Sequence, residues 1–182
     1  MKIAIASGKG GTGKTTLACA LADAASGPVG LLDCDVEEPN SHFFIQPAME
    51  STEPVHNLVP QVDAFRCTDC GECGRICQFS AIVPLGGKTL VFPELCHGCG
   101  GCARICPTGA IVETRREIGV LETGWRGRIF FASGQLNVGQ AMAPPVIRAV
   151  KAKAPEEGLV LVDCPPGTAC PFVTAVKGCD VA

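Results

Sequence analysis

The apolar positions of this chain fall into short runs separated by polar or glycine-rich stretches. Residues 2–7 (KIAIAS) form a strand-length run, and residues 14–25 (KTTLACALADAA) an Ala-rich stretch of helical length. Residues 28–33 (PVGLLD) and 159–163 (LVLVD) are continuous apolar runs ending in aspartate, as expected of strands buried on both faces of a parallel sheet. Residues 129–133 (IFFAS) read the same way. LNVGQAMAPPVIRAVKAKAP leads into a helix whose late Lys and Arg suit a helix C-terminus, and residues 171–177 predict another helix. Residues 1–57 therefore read as β–α–β and a loop. RREIGVLETGWRGR reads as a polar, strand-like return, and the alternation of strands and helices predicts an α/β fold.

The middle of the chain follows a different pattern, set by cysteine. Eight of the 13 cysteines lie between Cys67 and Cys106, in two copies of one spacing. Cys67-x2-Cys70-x2-Cys73-x3-Cys77 is followed by Cys96-x2-Cys99-x2-Cys102-x3-Cys106-Pro107. The copies also share Gly71/Gly100, Arg75/Arg104, Ile76/Ile105 and Ala81-Ile82-Val83/Ala110-Ile111-Val112, which marks an internal duplication. A glycine-bearing loop lets three thiolates at i, i+3 and i+6 converge on three irons of one cubane, while the fourth opens toward the other cluster. One [4Fe–4S] cluster then takes Cys67, Cys70, Cys73 and Cys106, and the other Cys96, Cys99, Cys102 and Cys77. Paired four-cysteine zinc sites are the alternative, but two such runs offer no natural tetrahedral division. The segment 58–115 resembles a bacterial two-cluster ferredoxin, with Gln78 in place of the proline that usually follows the fourth cysteine.

A second, independent motif follows the first strand. Gly8-Lys9-Gly10-Gly11-Thr12-Gly13-Lys14-Thr15 satisfies G-x4-G-K-[ST] between a strand and a helix. Glycines let such a loop turn its N–H groups and the helix N-terminus toward β- and γ-phosphates. Lys14 is then expected along those phosphates, and the Thr15 hydroxyl on Mg²⁺, with Thr16 completing the cradle.

Lys9 directly after the first glycine makes this loop similar to the deviant Walker A loop of the MinD/ParA/Mrp/nitrogenase-iron-protein class of P-loop ATPases. That resemblance implies that Lys9 reaches phosphates bound by a second subunit in an ATP-dependent homodimer. Further motifs of the class follow in order: Asp33-Cys34-Asp35 at the second strand tip, and Asp163-Cys164-Pro165-Pro166-Gly167 after LVLVD. By resemblance, Asp35 orients the attacking water, Asp33 and Asp163 belong to the Mg²⁺ shell, and the Gly167 N–H senses the γ-phosphate. Lys9, Lys14 and Asp35 are thus the catalytic candidates. The implied architecture is a P-loop NTPase with a mostly parallel sheet, in parts 1–57 and 116–182, interrupted by a small α+β ferredoxin-like insert at 58–115. The sequence stops at GCDVA, where the class pattern would begin another core strand.

Composition narrows the remaining possibilities. With 47% hydrophobic and 18% charged residues among 182, the chain has the makings of a packed core. A net charge of −3 gives no electrostatic reason to expect nucleic acid or an anionic membrane as partner. No apolar run approaches the ~18 residues needed to span a bilayer. The N-terminus has no signal-peptide pattern, so a cytoplasmic setting is expected, where thiols are kept reduced and bind metal. Cys19, Cys34, Cys164, Cys170 and Cys179 fall outside the duplication and read as small buried hydrophobes. Cys170, seven residues after Asp163, sits near the place of a cluster-binding cysteine in the nitrogenase iron protein. His97, inside the second cysteine loop, reads as a residue that tunes hydration. The sequence thus points to an ATP-binding protein with two [4Fe–4S] clusters and Mg²⁺, coupling nucleotide state to electron transfer with an unidentified redox partner. The alternative is an ATPase that carries clusters to an apo-protein acceptor.

Overall fold

The structure is a computed structural model that describes residues 1–182. In chain order it contains β1 (Lys2–Ile5), α1 (Lys14–Ala24), β2 (Val29–Asp33), α2 (Ser41–Ile45) and β3 (Ala48–Val62). There follow α3 (Glu72–Ile76), the hairpin β4 (Ile82–Leu85) and β5 (Lys88–Val91), a 3-10 turn at Pro93–Leu95, and α4 (Gly101–Ile105). The remainder is β6 (Ile111–Arg126), β7 (Ile129–Leu136), α5 (Pro144–Ala152), β8 (Leu159–Asp163) and α6 (Cys170–Val176). Two compact units result. Met1–Val55, Gly119–Asn137 and Ala143–Ala182 form the first, and His56–Ile118 with Val138–Met142 the second.

The first unit is an α/β fold. The main sheet runs in the order β1-β8-β2-β7-β6-β3, with β1, β8, β2 and β7 parallel and β6 antiparallel to β7. Every residue of β2 is buried, which explains its unbroken apolar sequence. Successive side chains of a strand face opposite ways. Ile129 and Phe131 of β7 join Ala18, Cys19 and Ala22 of α1 in one core cluster with Leu31 and Leu161. Gly134, on the opposite face of β7, lies under Val146 and Val150 of α5, so helices cover both faces. The late lysine of α5 stands in its last turn, as expected, and also ties it to the next helix. Lys151 Nζ donates to the carbonyls of Thr174 at 3.0 Å and Ala175 at 2.6 Å, near the end of α6.

The second unit repeats itself in space as its sequence does. α3 and α4 each begin after a glycine in the left-handed region, Gly71 at φ 81° and Gly100 at φ 69°, where other residues would be strained. Each ends at the fourth cysteine of its run, Cys77 or Cys106, in extended conformation. Cys73, Ile82 and Ile111 form its small core, and Cys77, Cys102 and Cys106 pack around it.

Two features differ from the pattern-based expectation. Residues 48–62 form a 15-residue strand across the expected loop to residue 57 and the start of the insert, while the expected strand-like return RREIGVLETGWRGR lies mostly in β6, which begins earlier, at Ile111. β3 is an edge strand, largely exposed and interrupted by Pro54 and Pro60, so it lacks the apolar run or clean alternation that marks a buried strand. Val138–Met142 joins the second unit, where the Ala141 N–H donates to the Glu94 carbonyl at 3.3 Å.

The contact between β7 and α5 yields a stability test. A Cβ on Gly134 would lie 2.6 Å from Val146 Cγ1, 2.8 Å from Val150 Cγ2 and 3.0 Å from Val36 Cγ1. Gly134→Ala is expected to destabilise the protein by about 1–3 kcal/mol through overpacking, read as a lower midpoint in chemical denaturation. An unchanged midpoint would show that α5 is not held this tightly.

Candidate functional site

In the first unit, one row of residues crosses three strand ends. Ile5, Asp163 and Asp33 are aligned in register across β1, β8 and β2, and Ser133 of β7 follows Asp33. Because β8 lies between β1 and β2, the loop leaving β1 and both strand-tip aspartates meet at the carboxyl edge of the sheet, where parallel α/β sheets bind ligands. Gly10 to Thr16 line an open cleft there with Asp35, Asn40 and Pro166. Gly11 and Gly13 have φ of 69° and 85°, which wraps the loop ahead of α1. The loop is braced internally. Ser7 Oγ donates to the Lys9 carbonyl at 2.6 Å and lies 2.8 Å from Thr12 Oγ1, while Lys14 Nζ reaches the Lys9 carbonyl at 3.4 Å. Gly8 and the Lys9 side chain are exposed at the start of the loop.

The two strand-tip aspartates differ in environment. Asp33 is fully buried, and both of its oxygens accept backbone hydrogen bonds: Oδ1 from Asp35 N at 3.2 Å, Oδ2 from Asn40 N at 3.1 Å and Ser41 N at 2.9 Å. Its carboxylate therefore holds the 34–41 loop in place. Asp163 Oδ2 accepts from Ser41 Oγ at 3.2 Å, but its buried Oδ1 has no hydrogen-bond partner. Burial pushes Asp163 up, against the Thr15 and Ser41 hydroxyls and the Lys14 ammonium, which hold it down. Burial pushes Asp33 up to about 7, opposed by the Ser41 hydrogen bond. Asp35, half-buried in the cleft, is pushed up to about 6 by burial and by the neighbouring Asp163 charge, with Lys14 opposing.

The structure does not bring every expected residue to the cleft. Gly167, at φ 97°, donates its N–H to the Ser7 carbonyl at 3.2 Å because the turn after β8 folds onto the residue preceding the phosphate loop. Ser41, which ties Asp33 to Asp163, was missed. Its only sequence signal is an Asn-Ser pair ahead of the short apolar stretch HFFI. Cys19, Cys34 and Cys164 are buried, as expected of packing thiols, whereas Cys170 is exposed.

In the second unit the eight duplicated cysteines line two cavities. Cys67, Cys70, Cys73 and Cys106 surround one, and Cys96, Cys99, Cys102 and Cys77 the other. No three Cys, His, Asp or Glu side chains are gathered closely enough to share a single metal ion. Backbone N–H groups of Ala81 and Ala110 donate to the sulfurs of Cys77 and Cys106 at 3.3 Å, one in each copy. Burial pushes the Cys102 thiol up to about 11. Burial acts on Cys106 in the same direction, but hydrogen bonds from the Thr108 hydroxyl and the Ala110 N–H hold it below its ordinary value. Asn57 Nδ2 donates to the Cys96 carbonyl at 3.0 Å and pins the second loop. Asn57 lies well outside the cysteine runs, so no spacing announced it.

A parallel α/β sheet with a phosphate-type loop at its carboxyl edge defines a nucleotide-binding domain. Residues 3–161 match the CobQ/CobB/MinD/ParA nucleotide-binding domain family, and the chain belongs to that family. It is also 40% identical, over 187 aligned residues, to the uncharacterized protein MJ0578 of Methanocaldococcus jannaschii. That similarity covers 100% of this chain and 66% of the relative, so the chain spans about two thirds of the relative's length. No helix is long and apolar enough to cross a membrane.

The engagement of Asp33 sets the test for this site. Asparagine retains one acceptor oxygen and would turn its amide N–H groups toward backbone donors. Asp33→Asn is expected to cost about 1–3 kcal/mol by leaving buried N–H groups unpaired, measured by thermal or chemical unfolding. A variant as stable as the parent would mean that the 34–41 loop does not depend on this carboxylate.

Proposed function

We propose that this protein is a nucleotide-gated iron–sulfur redox protein that holds MgATP at the phosphate loop and two [4Fe–4S] clusters in the cysteine cavities. The observation that carries the reading is the division of the eight cysteines, three from one run and the fourth from the other around each cavity. Four thiols ringed about each cavity suit a polynuclear group in which each iron takes one thiolate. When bound, such clusters supply one-electron chemistry. The Cys77 and Cys106 sulfurs, each already facing a backbone N–H, are prepared to carry the negative charge of a thiolate ligand.

At the nucleotide, Lys14 and the loop N–H groups stabilise phosphate charge, and Thr15 with Asp163 would hold Mg²⁺. The unpartnered Oδ1 of Asp163 fits that cation, because a buried carboxylate oxygen without a donor is costly to leave unpaired. Asp33 acts through the loop that it anchors. Asp35, lining the cleft, orients the attacking water for an in-line displacement. Lys9, whose ammonium makes no salt bridge within the chain, is free to reach phosphates in a second copy, giving an ATP-dependent homodimer. Release of the Gly167 N–H from Ser7 would let it meet the γ-phosphate, so one hydrogen bond distinguishes the two nucleotide states. A second reading, a cluster carrier that delivers to an apo-protein, draws support from Cys70 and Cys99, which are exposed at the edge of each cavity.

Two measurements test the proposal. Anaerobically prepared protein is expected to contain about 8 Fe and 8 sulfides per chain, and its reduced EPR spectrum or redox titration to differ between MgATP and MgADP. Identical titrations in both nucleotides would remove the gating, and rapid loss of iron to an apo-acceptor would favour the carrier. Lys9→Ala is expected to abolish dimerisation on addition of MgATP, followed by light scattering; a variant that still dimerises would remove Lys9 from the interface.

A further inference from the structure

The two cysteine cavities derive from one duplicated sequence, so equivalent positions can be compared directly. Arg66 and Leu95 precede the first cysteine of each run, Thr68 and His97 follow it, and Thr108 and Phe79 stand two residues after the fourth cysteine. Because the fourth cysteines cross over, Thr68 and Thr108 line the first cavity, and His97 and Phe79 line the second. All three substitutions run in the same direction. Hydroxyls line the first cavity, with the Arg66 guanidinium bonded beside it, while aromatic groups line the second.

The contacts translate that difference into charge stabilisation. In the first cavity, Thr108 Oγ1 lies 3.6 Å from Cys106 Sγ and Thr89 Oγ1 3.8 Å from Cys67 Sγ. A metal-bound thiolate carries no proton, so these hydroxyls would be the donors. Arg66 donates to the Thr108 carbonyl at 2.9 Å, which places a cation at the rim. In the second cavity the sulfurs receive only backbone donors, Ala81 N on Cys77 at 3.3 Å and Gly98 N on Cys96 at 3.4 Å. The Leu58 carbonyl oxygen lies 3.8 Å from Cys96 Sγ, and against a thiolate that dipole would be unfavourable. Phe79 and His97 stack beside this cavity, their ring centroids 3.4 Å apart and their planes within 7°. The carboxylates offset one another. Asp69 and Glu72 line the first cavity, but Glu72 is paired with Arg75, leaving one carboxylate against Glu113 at the second.

Reduction adds one negative charge to a cluster, and hydrogen bonds to sulfur, nearby charge and solvent exposure set how readily it is accepted. Resting on the two-cluster reading above, we infer that the sites are electronically inequivalent. The first is the higher-potential site because of the Thr108 and Thr89 hydroxyls and Arg66, and the second is kept lower by the Phe79–His97 stack. A low-potential one-electron donor then fills the first site before the second, one electron to each, and an electron placed on the second tends to move to the first.

The test is an EPR-monitored redox titration of the anaerobic protein, with iron and sulfide counted on the same sample. Two separate one-electron steps are expected. Thr108→Val, which keeps the shape and removes the hydroxyl, should move only the higher step to more negative potential, by about tenfold in the reduction equilibrium, the size of one charge-assisted hydrogen bond. Thr89→Val should do the same independently, and covers the case in which Thr108→Val does not fold. Phe79→Thr should raise only the lower step, narrowing the separation. Coincident steps in the parent, or valine variants that shift the lower step or neither, would overturn the inference while leaving the clusters in place. Absence of iron and sulfide would instead remove the two-cluster reading and this inference with it.

Discussion

Two aspartates at the ends of adjacent buried strands are the constraint around which the nucleotide unit is organised. Asp33 and Asp163 are in register on β2 and β8, both almost wholly out of solvent. Burying two carboxylates side by side is unfavourable unless donors or a cation meet them. The chain meets Asp33 with three backbone N–H groups and Asp163 with one hydroxyl, leaving one oxygen unpartnered beside the phosphate loop. The path of the 34–41 loop and the start of α2 both follow from that arrangement.

The second unit applies a related rule to sulfur. Each fourth cysteine ends a short helix in extended conformation, and the N–H four residues later turns back onto its sulfur. Duplicating that device yields two equivalent cavities, and the residues that differ between the copies are then free to specialise them. Equivalence of frame and inequivalence of lining are separable features of this unit.

The local motifs were legible in the sequence because their chemistry depends on contiguous spacing. The phosphate loop needs glycines at fixed offsets ahead of a helix, and the three-cysteine loops need their i, i+3, i+6 interval; both are written in single stretches of chain. Residues that act from elsewhere were not legible. Ser41 bridges two aspartates far apart in sequence, and Asn57 holds a loop 39 residues away. Lys151 lies in the last turn of its own helix as expected, but its bonds to carbonyls near the end of α6 were not legible. β3 was hidden because an exposed edge strand needs no apolar periodicity.

By itself, then, the sequence determined the strands buried on both faces, the phosphate loop and the duplicated cysteine frame, since each is set by burial or spacing within a few residues. Only the tertiary structure decided which acid is free. Asp33 and Asp163 look alike as strand-end aspartates, and the sheet order that places β8 between β1 and β2 puts them in one row. The path of the 34–41 loop then gives Asp33 three backbone donors and leaves Asp163 Oδ1 without a partner. The same holds for the lining of the cysteine cavities. The crossing of the fourth cysteines was already expected from the spacing, but the Thr89 hydroxyl beside Cys67 and the stacking of Phe79 on His97 are set by packing between distant segments.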